Sequence, residues 1–217
     1  MITVRTSFDP NLNGFKFINY FQLPKSIKLN IPFVHINSVS LPNLVYGLCG
    51  GMCFSALDYF HAGRTIPADA DIPVSGSPMY NYLVQRQLAS FDHGTIEKVI
   101  FWMLSPDEDL SERMAGSEIP TMRASLDGGN PAVLVLIRAQ GLSDPSHNHQ
   151  VTAIGYNFDP EDTNAMVIHL YDPNHPGEEP TLSLNLANPE AGLNLVQSTG
   201  EPLRGFFVNN YQPNVPN

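Results

Sequence analysis

Two cysteines, Cys49 and Cys53, stand four residues apart in Gly47-Leu48-Cys49-Gly50-Gly51-Met52-Cys53, and the 217-residue chain has no others. Two such thiols cannot make the disulfide framework of a small secreted scaffold, so they serve either a core or a reaction. Met52, Cys53, Ala56, Leu57 and Phe60 recur at helical spacing, which predicts a helix over 49–62 with Cys49 in its first turn. A thiol at that end meets the positive pole of the helix, which favours the thiolate. Gly50 and Gly51 let backbone or substrate come close to it. Cys53 lies one turn further in, beside Ala56 and Leu57, and is expected to face the core.

A thiolate nucleophile needs a base and a group that orients the base. His149 opens an apolar strand, His149-Gln150-Val151-Thr152-Ala153-Ile154-Gly155-Tyr156, and Asp172 closes the next one at Leu170-Tyr171-Asp172-Pro173. Antiparallel neighbours bring the start of one strand to the end of the other. The chain order is therefore Cys49, His149, Asp172, with the thiol on a helix and its partners on a sheet. His147 and His149 together with a distant cysteine pair do not match zinc-ligand spacings, so no metal is expected.

These segments give the chain a resemblance to the papain-like cysteine peptidases in the broad sense, nearest to the bacterial leader-peptidase-like branch. Cys49-Gly50 followed by a small-residue-rich helix is similar to the nucleophile segment of that branch. His149 to Tyr156 fills every position of the papain-like pattern His-x-Val-x-x-x-Gly-Tyr. Asp172-Pro173 is similar to the third member of the leader-peptidase triad. The resemblance covers about 43–62 and 130–175. It implies a papain-like fold and hydrolysis of peptide or amide bonds, with Cys49 as nucleophile, His149 as acid and base, Asp172 as orienting group, and a peptide or protein as substrate. No metal or organic cofactor is needed for such chemistry. The family's oxyanion-hole Gln lies about six residues before the Cys; here that place is taken by Asn43, whose amide is shorter, and the nearest preceding Gln is Gln22. Papain's own motif reacts through its second Cys, and Cys53-Phe54-Ser55 echoes it, but Cys49 holds the exposed, dipole-favoured end and is preferred. Two alternatives stand beside peptide hydrolysis: acyl transfer or deamidation by the same triad, and a catalytically inactive papain-like module that binds a peptide or protein.

The elements that must position these groups fall into two runs. Residues 1–48 read as a coil-rich lead-in with one short strand, then helices over 49–62, 79–91, 95–104 and 117–126, with Pro120 in the first turn of the last. Asp107-Glu108-Asp109 reads as a solvated helix lead-in, and Trp102 as core. In the helix over 79–91 the expected buried stripe is Tyr80, Leu83, Val84, Leu88 and Phe91. After Pro131 come strands over 132–137, 149–158, 165–171, 181–186 and 203–208, and the Pro-rich end from Pro213 is expected to fray. Helices first and strands second predict an α+β fold. We expect a single papain-like domain over 1–217, a helical and loop lobe over about 1–130 and an antiparallel β lobe over about 131–217.

Composition narrows the partners. Eleven Lys and Arg stand against 21 Asp and Glu, a formal net charge of −10, with no basic run, so no nucleic-acid partner is expected. Sixteen Gly and 19 Pro favour turns over a coiled coil. No stretch has the roughly 20 apolar residues that a bilayer requires, and no secretory signal is visible, so the expected location is cytoplasmic and no membrane partner is expected.

Overall fold

The computed structural model describes residues 3–21 and 47–216. It mixes helix and sheet: β1 (Thr3–Arg5), α1 (Pro10–Asn13), α2 (Cys49–His61), α3 (Pro78–Ser90), α4 (His93–Leu104), α5 (Asp107–Arg113) and α6 (Ile119–Asp127) precede β2 (Ala132–Ile137), β3 (His149–Phe158), β4 (Ala165–Tyr171), β5 (Thr181–Asn185), β6 (Val196–Gln197) and β7 (Gly205–Val208). All strand pairs are antiparallel, in the order β6-β5-β4-β3-β2-β7. β1 adds to β3 beyond the end of β2: Val4 pairs with Tyr156, whereas Ala132 pairs with Ala153. Among the described residues no helix is long and apolar enough to cross a membrane.

Two apolar clusters lie on the sheet. One joins Val99, Trp102, Met114 and Met122 of the helices to Leu134, Leu136, Val151, Ala153, Ile168 and Leu170. Trp102 is a core residue, as expected. The other gathers Phe8, Phe15, Phe17, Met52, Cys53, Phe54, Leu57 and Leu83 against Val133, Ile154 and Tyr171. Helix α2, with Cys49 in its first turn, thus packs between the sheet, α3 and the aromatic N-terminal segment.

Local chemistry accounts for most boundaries. Ser77 caps α3 by accepting from Tyr80 N, with Pro78 in the first turn, and Asp92 caps α4 by accepting from Thr95 N. Gly63, at φ 62°, takes the left-handed conformation that ends α2.

Several boundaries differ from expectation. The helix expected over 117–126 is the end of a longer run: Asp107-Glu108-Asp109 forms the first turn of α5, and a π-helical stretch, Met114–Glu118, carries it into α6. Glu118 in that stretch accepts Val208 N at 2.9 Å and pairs with Lys98 at 2.7 Å, so the widened turn delivers a carboxylate to the outer strand. In α3, Leu88 is exposed rather than part of the buried stripe; Arg86 and Gln87 are buried instead because both have polar partners. β7 starts at Gly205 rather than Leu203; Arg204 before it bonds Ile137 O through its backbone N–H and holds Asp107 and the carbonyl of Ser105 with its side chain. β5 stops one residue early, and β6 is too short to carry a readable alternation.

The C-terminal segment is fastened rather than frayed. Asp58 of α2, fully buried, accepts from Tyr82 Oη, Tyr211 Oη and Asn214 N at 2.8 Å each, and pairs with Arg86 Nε at 2.6 Å. Arg86 also donates to Gln212 O at 2.7 Å, and Arg64 bonds Pro216 O. A buried carboxylate must be paired and hydrogen-bonded, and the tail supplies two of the donors that Asp58 requires. Tyr211→Phe removes one donor from this charge and is expected to lower stability by about 1.5–2 kcal/mol. Urea melts of the two proteins check it, and equal midpoints would show that water replaces the phenol without loss.

Candidate functional site

The site is assembled where the first turn of α2 meets the start of β3 and the end of β4. The register Thr152↔Tyr171 puts these two strand ends at one end of the sheet. Helix α2 is held along β3 by Cys53, whose Sγ donates to Gln150 O at 3.5 Å. Cys49 then reaches His149. The two lie close enough for each to shift the other's titration, and His149 Nε2 lies 2.7 Å from Asp172 Oδ1. Since Nε2 faces the carboxylate, Nδ1 is the ring atom left for the sulfur. Cys49, His149 and Asp172 are therefore adjacent, in that order. Asn43, the expected oxyanion donor, lies outside the described residues, as does Gln22.

Cys49 is buried rather than exposed, at 8%. The reason is that the helix end abuts β3 instead of opening to solvent. Asp172 is 0% and His149 5% exposed. Charges in such a place survive only if they hold one another. Burial pushes the Cys49 thiol up, but the hydrogen bond and charge of His149, with the backbone N–H groups of Gln150 and Gly50, outweigh it and hold the thiol below its ordinary value. Burial pushes His149 down, and the charge and hydrogen bond of Asp172, then those of Cys49, overcome this and raise it to about 10. Burial pushes Asp172 up, and His149, the Asn174 N–H and the charge of His175 bring it below the usual carboxylate range. Cys53 has no such cation: burial lifts it well above an ordinary thiol, and it is a core residue. The two thiols are thus electrostatically opposite despite lying one helical turn apart.

The first turn of α2 has donors that its own helix cannot satisfy. Gly51 N is accepted by Gln87 Oε1 at 2.6 Å, and Gly50 N stabilises the sulfur. Cys49 N has no hydrogen-bond partner among the described residues. It sits beside the sulfur, where an oxygen of a bound carbonyl would need a donor.

The paired glycines have a packing role that their sequence did not reveal. A Cβ on Gly50 would fall 2.1 Å from Ser90 Oγ and 2.5 Å from Gln150 Nε2; one on Gly51 would fall 2.2 Å from Leu83 O. They let α3 and β3 close on α2. Behind them runs a buried polar network: Gln150 Nε2 donates to Ser90 Oγ, Asn209 Nδ2 to Gln150 Oε1, and Thr95 Oγ1 to Asn209 Oδ1, at 3.1, 3.0 and 2.9 Å. This network fixes the strand residue next to His149.

Asp172 is held by its own turn. Asn174 N donates to Asp172 Oδ1 at 2.8 Å and His175 N to Asp172 O at 2.9 Å, the geometry that an Asp-Pro turn favours. Asp172 Oδ2 is buried without a partner among the described residues. Among those residues, no group of three or more His, Cys, Asp or Glu side chains is placed to hold a metal ion.

The molecule thus joins a mixed helix-and-sheet architecture to a buried thiol–imidazole–carboxylate line. No protein-family model matches the chain, and no curated protein or solved structure matches it.

Proposed function

We propose that this chain is a cysteine-dependent hydrolase of peptide or amide bonds on a papain-like plan, with Cys49 as nucleophile, His149 as acid and base, and Asp172 as orienting group. The observation that carries the reading is the buried His149 imidazole, held 2.7 Å from the Asp172 carboxylate and near enough to Cys49 to lower that thiol's pKa. A helix that presents the thiol in its first turn, packed against the strand that presents the histidine, supports the papain-like plan.

The reaction then runs as a double displacement. The Cys49 thiolate attacks the substrate carbonyl carbon, and the carbonyl oxygen takes up the electron pair as an oxyanion beside Cys49 N–H. The carbonyl reforms, the C–N bond breaks, and the imidazolium of His149 gives its proton to the departing amine. The acyl group now rests on Cys49 as a thioester. His149, neutral, takes a proton from water as that water attacks the thioester. Collapse releases the carboxylic acid and restores the thiolate–imidazolium pair. Asp172 keeps the ring oriented and stabilises its positive form throughout.

The test is alkylation by iodoacetamide from pH 5 to 10, with the modified residue identified by mass spectrometry, followed by incubation with a mixed peptide library. Cys49 is expected to react well below pH 8 and Cys53 to remain unmodified, with amide-bond cleavage in the library that prior alkylation of Cys49 abolishes. A Cys49 thiol that titrates near the free-cysteine value of about 8.5 would falsify the assignment.

A further inference from the structure

The thiol and the carboxylate come from segments far apart in the chain, and one side chain spans them. Asn19 lies in the N-terminal segment, well before the described structure resumes at Gly47. Its Oδ1 accepts Leu48 N at 2.7 Å, directly before Cys49. Its Nδ2 donates to Asn174 Oδ1 at 3.0 Å, directly beyond the Asp172 turn. Its backbone N–H donates to Pro173 O at 3.0 Å. Gly47 leaves room for it, since a Cβ there would fall 2.7 Å from Asn19 Nδ2. The residue preceding α2, Leu48, has no side-chain cap, and Asn19 accepts its backbone N–H, as the acid of a capping box would.

We propose, on the reading of Cys49, His149 and Asp172 given above, that Asn19 is a positioning residue: it fixes the entry of the nucleophile helix to the turn that carries the orienting carboxylate, and so sets the sulfur-to-imidazole spacing. It touches none of the three reacting groups. Each of its side-chain bonds ends one or two residues from one of them, on opposite sides of the site. Without Asn19 the entry of α2 loses its link to the turn beyond Asp172, and the packing of its first turn on β3 is left to hold the sulfur in place. Among the described residues the charged and titratable groups around the sulfur are His149, Cys53 one turn on, and, through the ring, Asp172 with His175 beside it; none of them is altered by changing Asn19.

The experiment measures the Cys49 alkylation rate against pH in wild type, Asn19→Ala, Asn174→Ala and the double variant, with thermal melts on all four. Asn19→Ala is expected to raise the thiol pKa by about one unit, which slows alkylation about tenfold at pH values below that pKa. Asn174→Ala cuts only the far bond and is expected to give a smaller slowing in the same direction. The double variant should match Asn19→Ala, because the two changes break one shared link. Ser77→Ala removes a cap from α3 remote from the site and serves as a control that lowers the melting temperature without moving the thiol. A folded Asn19→Ala protein with the wild-type alkylation profile overturns the proposal; if Asn19→Ala does not fold, an unchanged profile in Asn174→Ala overturns it. A wild-type Cys49 with an ordinary thiol profile instead overturns the catalytic reading beneath it, so the two failures are distinct.

Discussion

Cys49→Ala is expected to stop peptide turnover, a fall on the order of 10⁴-fold or more, and to give the folded protein a pH dependence of stability that wild type lacks. The first effect follows from removing the thiol on which the proposed mechanism builds the acyl intermediate. The second follows from proton counting. His149, raised above its unfolded value of 6.5 to about 10, contributes stability that is fully present below pH 6.5 and lost as pH rises through the folded value. Cys49, held below its ordinary 9.0, has the opposite sign: it gives up a proton in the folded protein that the unfolded chain still carries. Wherever the thiol is ionised between pH 6.5 and 9, the folded and unfolded wild-type proteins bind the same number of protons at these two groups, and the slopes cancel. Cys49→Ala leaves His149 with Asp172 alone, so the uncancelled histidine contribution remains and stability falls as pH rises. Urea melts at half-unit steps from pH 6 to 9 measure the difference between the two proteins. Parallel curves would mean that sulfur and imidazole do not exchange a proton in the folded state.

Gly51→Ala is expected to cost about 3 kcal/mol, at the upper end of the range for overpacking. The added methyl would meet the carbonyl of Leu83 at 2.2 Å, with Gln87 N at 3.0 Å beside it. Both are backbone atoms within α3, so no rotamer change relieves the clash. The helices must separate, and the bond from Gly51 N to Gln87 Oε1 stretches with them. For a chain of this size the loss lowers the melting temperature by roughly 6–12 °C. Gly116→Ala is the matched control. Its Cβ would meet nothing within 4 Å, so replacing a flexible helical residue is expected to be neutral or stabilising. If Gly51→Ala melts with Gly116→Ala and wild type, α2 and α3 are not in the close contact described.

Much of this arrangement could be read from residue patterns. The 3.6-residue spacing after Cys49 located α2, and the continuous apolar run at 132–137 located β2. The three side chains singled out for their chemistry are adjacent, because residue type and strand-end position are both local properties of a sequence. What escaped was non-local. The uses of Asn19, Gln87, Gln150 and Asn209 depend on partners brought from other elements, and a lone Asn or Gln carries no periodic signal. The burial of Cys49 escaped because helix spacing tells which end a residue occupies but not what abuts that end. The fastened tail escaped for the same reason: Pro213 and its neighbours resemble a frayed end until Asp58 is seen to need donors. Asp58 itself lies in a helix whose buried residues form an unbroken stretch from Cys49 to Tyr59, where a charge has no pattern to stand out against.

Asp58 and Asn19 also bear on the order in which the molecule comes together. Tyr211 bonds Asp58 across 153 residues, and Asn174 bonds Asn19 across 155. Closing such loops costs entropy before any contact returns it, and chains dominated by long-range pairings fold in milliseconds to seconds rather than microseconds. Helix α2 has its buried acid and its thiol waiting on partners from the second half of the chain, and Asn19, which holds its entry, waits on Asn174 there. Until those arrive, Cys49 sits on a nascent helix with no imidazole beside it and is expected to titrate as an ordinary thiol. The lowered pKa of Cys49 is therefore expected to be a late event of refolding, and the moment at which it appears marks the closure of the two halves upon each other.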